Sequence, residues 1–182
     1  MSRIFSKSVK MLVLTLMSIL IISATAAVYY SLDATSTITT AANDIYFTLG
    51  PDNSTAGVNL FNDNKSATLT DLIAYPNITM TYDDPIRVRN NHTSTIYKVR
   101  LRPVMLPGNA TDFVYINFTL QTSTKVSLNY TSNGVSWSTP STTSFVDVSA
   151  DTEYAIVVQT MANATATSGQ TATIEIAIEI EQ

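Results

Sequence analysis

One histidine, no cysteine and a scatter of carboxylates are the side chains with which this 182-residue chain could hold a metal or run acid–base chemistry. The histidine, His92, sits in "RNNHTS", a run of turn formers, where a lone imidazole is read as structural rather than catalytic. Without cysteine there is no disulfide, no thiolate metal site and no cysteine nucleophile, and the two-His-one-Cys copper site of some β-sandwiches is closed. Asp83 and Asp84 precede Pro85 and read as turn formers. Glu175, Glu179 and Glu181 recur along "TIEIAIEIE"; they could gather Ca²⁺, but a solvated strand face is the simpler reading. H-E-x-x-H, G-x-S-x-G and glycine-rich phosphate loops are all missing. The sequence therefore offers no catalytic residue, no metal site and no cofactor site.

The chemistry that is abundant is that of asparagine. Asn53, Asn64, Asn77, Asn91, Asn109, Asn117, Asn129 and Asn163 each begin an N-x-[ST] triplet. With serine and threonine at about a quarter of the chain, chance supplies roughly three or four such triplets among its asparagines. A threonine-rich composition explains part of the excess. N-linked glycans on several of the eight explain the rest, because most lie beside turn signals or at outward strand positions.

Such sites need an exported chain, and the N-terminus supplies the signal. "MSRIFSKSVK" is basic, "MLVLTLMSILII" is apolar, and "SATAA" places an A-x-A cleavage site between Ala26 and Ala27. Residues 1–26 thus read as a signal peptide. An uncleaved membrane anchor is the alternative, since the apolar stretch approaches the roughly 18 residues that span a bilayer. A pilin-type leader cut on the basic side is disfavoured by "SVKML", which lacks the small residue at the cut. In either leading case the bulk of the chain is extracellular. The membrane is then a partner only of the uncleaved precursor, and the acidic balance, net charge −4, argues against nucleic acid.

Beyond the leader the pattern is β throughout. "DIYFTL", "ITMTY", "IRVRN", "TIYKVRLRPVML", "FVYINFTL", "KVSLNY", "SFVDVS", "YAIVVQTM" and "TATIEIAIEIE" are separated by turn clusters. Asn133-Gly134 signals a hairpin, and Ile174, Ile176, Ile178 and Ile180 alternate with the glutamates. No window past the leader shows helical periodicity. Eight to ten short strands predict an all-β, two-sheet sandwich of Greek-key or jelly-roll type over residues 41–182.

Residues 27–40 remain. In "AVYYSLDATSTITT", Val28, Tyr30, Leu32, Ala34 and Ile38 fall on one face of a strand, and Tyr29, Ser31, Asp33, Thr35 and Thr37 on the other. This strand either pairs at the edge of its own domain or leaves it to complete a neighbour's sheet, which, repeated head to tail, makes a filament.

A signal peptide running into this aromatic strand, then "ATSTITTAANDIYFTL", then "IRVRNNHTSTIYKVRL" with its Asn-Asn turn, then a long alternating closing strand: in that order these features resemble the TasA/camelysin family of biofilm fibre proteins, and in particular the related archaeal bundling pilins. The resemblance covers most of the chain after the leader. It implies a jelly-roll subunit whose N-terminal strand, freed by signal peptidase, inserts into the next identical subunit. It also implies filaments that bundle and hold cells together in a biofilm. Camelysins carry a metallopeptidase label, which does not transfer to a chain without a recognisable zinc-ligand set. The competing expectation is a monomeric, membrane-anchored surface or S-layer-associated binding domain; an extracellular enzyme or enzyme inhibitor is a third.

Overall fold

The computed structural model describes residues 44–167 and 169–181, and over them the chain is a two-sheet β-sandwich. Its elements are β1 (Ile45–Leu49), a single helical turn α1 (Asn53–Ala56), β2 (Val58–Phe61), β3 (Ser66–Ala74), β4 (Met80–Asn90), β5 (Tyr97–Met105), β6 (Phe113–Leu120), β7 (Val126–Thr131), β8 (Val146–Val148), β9 (Thr152–Ala162) and β10 (Gln170–Ile180). One sheet runs β1-β4-β9-β6-β7, the other β2-β3-β10-β5-β8, and every pairing between strands is antiparallel.

Alternation decides which side chains meet. Phe47, Val88, Ile156, Val158, Ile116, Phe118 and Leu128 of the first sheet are buried, as are Leu69, Leu72, Leu101, Ile174 and Ile176 of the second. Each such side chain contributes roughly 1.5–3 kcal/mol relative to exposure. Polar groups inside the sandwich tie the layers together. The Tyr82 hydroxyl accepts the Ile73 amide at 2.7 Å, and Thr160 Oγ1 donates to the Ile73 carbonyl at 2.6 Å, so β4 and β9 both grip β3 across the core.

Several expectations change. "ITMTY" and "IRVRN" are one strand, β4: Asp83, Asp84 and Pro85 form an irregularity inside it, where its register with β9 shifts between Tyr82 and Ile86. A proline is tolerated in a strand at such a place because its missing N–H removes no ladder bond. "RNNHTS" does not close a hairpin, because β4 and β5 belong to different sheets. The Asn133-Gly134 signal does mark a turn, but a four-residue one closed by a single Ser132–Trp137 bridge; Asn133 Oδ1 accepts the amides of Val135 and Ser136. β2, β3 and α1 come from a stretch with no assigned element. Asn62, Asp63 and Asn64, all with positive φ, turn the chain between β2 and β3.

Candidate functional site

The strands end in two clusters of loops. At one end the chain enters β1, where the Asp44 carbonyl accepts the Asn91 amide and the Asp44 carboxylate accepts the Tyr97 hydroxyl at 3.1 Å. Asn90 holds this end together. Fully buried, it donates from Nδ2 to the carbonyls of Thr95 and Val148 and accepts the His92 amide on Oδ1. His92 in turn accepts the amides of Ser94 and Thr95 on Nδ1, so its ring shapes the loop. β10 also ends here, with the Glu181 amide on the Lys98 carbonyl.

The opposite end gathers the loops around residues 75–79, 106–112, 132–137 and 163–167. Trp137 Nε1 donates to the Gly108 carbonyl, Ser132 Oγ bonds the Ala110 carbonyl, and the Asn163 amide bonds the Asp112 carbonyl. Large apolar side chains stand in solvent on or beside these loops: Ile78 at 58%, Leu106 at 42% and Val135 at 83% exposure, with Val104 and Met105 adjoining. Exposed apolar side chains are not confined to this end, since Ile96 at the first end is 60% exposed and Leu49 on β1 50%.

On the flank, β7 closes one edge of its sheet. Ser132 bonds back to Val114 of β6, while Thr131 exchanges bonds with Ser138. Strand alternation then turns the backbone N–H and C=O of Ser127 and Asn129 outward. Behind them Leu128 and Tyr130 point into the core. The Tyr130 hydroxyl is buried without a partner, and burial pushes its pKa upward.

The glutamates of β10 are not a free acidic face. Glu179 bonds both Arg100 and Arg102, at 2.7 and 2.8 Å, and Glu181 pairs with Lys98 at 3.2 Å. Two of the three carboxylates, Glu179 and Glu181, therefore already have counter-charges. Among the described residues no three His, Cys, Asp or Glu side chains gather to hold a metal.

The sequon asparagines divide by exposure. Asn64, Asn77, Asn91, Asn109 and Asn129 are exposed, and Asn53, Asn117 and Asn163 are half-buried. Asn64, Asn77 and Asn109 adopt positive φ, which asparagine tolerates better than most residues, so their identity has a backbone reason independent of any sugar. Asn53 Nδ2 donates to the Gly50 carbonyl at 2.5 Å. Asn117 lies mid-strand in β6, directly opposite Asn129 of β7 and Gln159 of β9. Around this row of amides is a depression of about 320 Å³ lined by Val114, Tyr115, Asn117, Asn129, Thr131, Ser132 and Gln159. Asn117 and Asn129 lie on consecutive strands, but nothing local places Gln159, on the distant β9, beside them.

The cleavage site at Ala26 and Ala27 and the strand residues Val28, Tyr30, Leu32, Ala34 and Ile38 lie outside the described residues. No protein-family model matches the chain, and no curated protein matches it either.

Proposed function

We propose that the chain is the structural subunit of an extracellular fibre, joined head to tail by strand addition and serving cohesion between cells. The segment from Ala27 to Ile38, freed by cleavage after Ala26, completes a sheet of the next subunit with Val28, Tyr30, Leu32, Ala34 and Ile38 facing that subunit's core. N-linked glycans coat the filament, and neighbouring filaments bundle.

The observation that supports this reading is the position of β7 at an edge of its sheet, where the outward backbone groups of Ser127 and Asn129 are of the kind to which a strand can add. An arm that pairs with the edge of a neighbour instead of its own suits a contact that repeats without closing. The strand orders add support: β3-β10-β5-β8 facing β4-β9-β6-β7, with β1 and β2 as flanking additions, is the winding of a jelly roll.

The test is substitution on the two faces of the segment, read by negative-stain microscopy and sedimentation. Tyr30→Asp or Leu32→Asp puts a charge into an apolar contact and should abolish filaments while leaving soluble subunits. Tyr29→Asp and Thr35→Asp, on the other face, should leave filaments intact. An equal response of the two faces, or polymerisation of a chain that starts after Ile38, overturns the proposal.

A further inference from the structure

His92 is the chain's only imidazole, and imidazole is the side chain that ordinarily changes charge between about pH 5 and 8. We propose that His92 is an acid-sensitive latch. Its neutral ring holds the loop between β4 and β5 closed, and a proton on that ring opens the loop at the end of the sandwich where the chain enters β1.

The hydrogen bonds fix which form of the ring the fold requires. Nδ1 accepts the amides of Ser94 and Thr95 at 3.1 and 2.9 Å, so it carries a lone pair and no proton. The proton of the neutral ring is then on Nε2, which faces Thr95 Oγ1 at 3.4 Å. An imidazolium has a hydrogen on both nitrogens and accepts nothing. Protonation of Nδ1 therefore sets a new donor against two amide donors, and both amides lose their acceptor at once. Ser94 is exposed and His92 is only half-buried, so protons reach the ring without any opening of the sheets.

The molecule builds the same turn elsewhere from a group that does not respond to acid. Asn133 Oδ1 accepts the amides two and three residues further on, those of Val135 and Ser136, just as Nδ1 does after His92. A carboxamide oxygen keeps its lone pairs throughout this pH range. His92 thus occupies a position of the kind asparagine fills at residue 133, and what the imidazole adds is titration.

The charged and titratable groups around His92 are already engaged. Arg89 on β4 pairs with Asp151 ahead of β9, and Lys98 on β5, with Asp147 of β8 opposite it in register, pairs with Glu181 after β10. The Asp44 carboxylate accepts the hydroxyl of Tyr97, whose ring stands perpendicular to the imidazole with centroids 6.1 Å apart. Among the described residues no carboxylate bonds the imidazole, so an imidazolium gains no ion pair to replace the two lost bonds. The loop it releases holds three segments together. The His92 carbonyl accepts the Asp151 amide, the Asn91 amide bonds the Asp44 carbonyl, and Asn90 bonds the Thr95 carbonyl. Every one of these contacts lies within one chain, so the inference does not depend on assembly.

The full chain, produced in a host that adds no N-glycans, is followed by NMR from about pH 8 to about pH 4, a span that charges an imidazole. Ring shifts of His92 report its protonation, and amide exchange reports local opening. As the ring is protonated, protection of the Ser94 and Thr95 amides should fall about tenfold or more, the effect of losing a hydrogen bond each. Val135 and Ser136, in the turn built on asparagine, should keep theirs. His92→Asn should retain protection at Ser94 and Thr95 across the whole range, because its side-chain oxygen takes over both bonds, and His92→Ala should lack it at every pH. Three results overturn the proposal: a ring that stays neutral to about pH 4, amides that remain protected beside a charged ring, or an acid-induced loss equally large in His92→Asn. The last assigns the response to the surrounding carboxylates instead.

Discussion

Two buried polar residues show how differently one hydrogen-bonding group can act in this core. Asn90 has partners for both of its amide atoms, in two segments of chain, and it ties the loop after β4 to β8. Tyr130 is as deeply buried, but its hydroxyl has no partner. A buried hydroxyl without a partner weakens the fold, so Tyr130→Phe should leave stability at pH 7 unchanged or raise it by up to about 1 kcal/mol in urea unfolding. The same residue predicts a response to alkali. In the unfolded chain a tyrosine ionises near pH 10, whereas burial keeps Tyr130 neutral to higher pH in the folded state. Above about pH 10 the unfolded state has therefore lost a proton that the folded state retains, and stability falls as pH rises. The Tyr130→Phe variant should show a shallower fall. Some fall should remain, because the pKa of Tyr82 is also raised, chiefly by burial, and that of Tyr97 by its hydrogen bond to the Asp44 carboxylate. A Tyr130→Phe protein that is markedly less stable at pH 7 would show that the hydroxyl has a partner.

At the scale of elements, β4 carries the informative irregularity. Its interruption at Asp83-Asp84-Pro85 is where the segment after β1 packs against it: the amides of Gly50 and Asp52 bond the carbonyls of Pro85 and Asp84, and Asp52 Oδ2 accepts the Asp84 amide at 3.0 Å. The Asp84 carboxylate then accepts hydrogen bonds from Nε and Nη2 of Arg87, and Arg87 Nη1 reaches Glu153 on β9. This close approach explains Gly50. A Cβ there would run into the Asp84 carbonyl, a backbone atom that cannot swing aside. Gly50→Ala should cost about 1–3 kcal/mol, the range for overpacking a fitted site, measured as a lowered urea midpoint. Gly108→Ala has open space around it and should be close to neutral. Equal effects of the two would mean that the contact is loose.

At the scale of the molecule, stability comes from one continuous apolar core between two sheets, with ion pairs on its surface. Partly exposed pairs contribute roughly 0–1 kcal/mol each and are screened by salt. A chain without cysteine gives a reductant no target, and the described residues, which gather no metal ligands, give a chelator none. The melting temperature should be the same with and without dithiothreitol or EDTA, and the proposed filaments should survive both. Filament loss in EDTA would reveal a metal in the joint.

By itself the sequence determined the all-β class and most strand positions, because period-two alternation is local and is interrupted by local turn chemistry. β6, β7, β9 and β10 were legible for that reason. β2 and β3 were not: "VNLF" is short, "SATLTDLIA" mixes its polar and apolar positions, and burial of its Leu69, Leu72 and Ala74 is settled by β10 alongside and the facing sheet. Sheet membership also lay beyond local reading. Most successive strands switch sheets, so β4 and β5, adjacent in sequence, lie in different sheets instead of pairing. The neutralised glutamates of β10 and the amide row of Asn117, Asn129 and Gln159 belong to the same category. Each is a juxtaposition of residues on different strands, and apart from the Asn117–Asn129 pair of consecutive strands only the long-range register of the sheets brings them together.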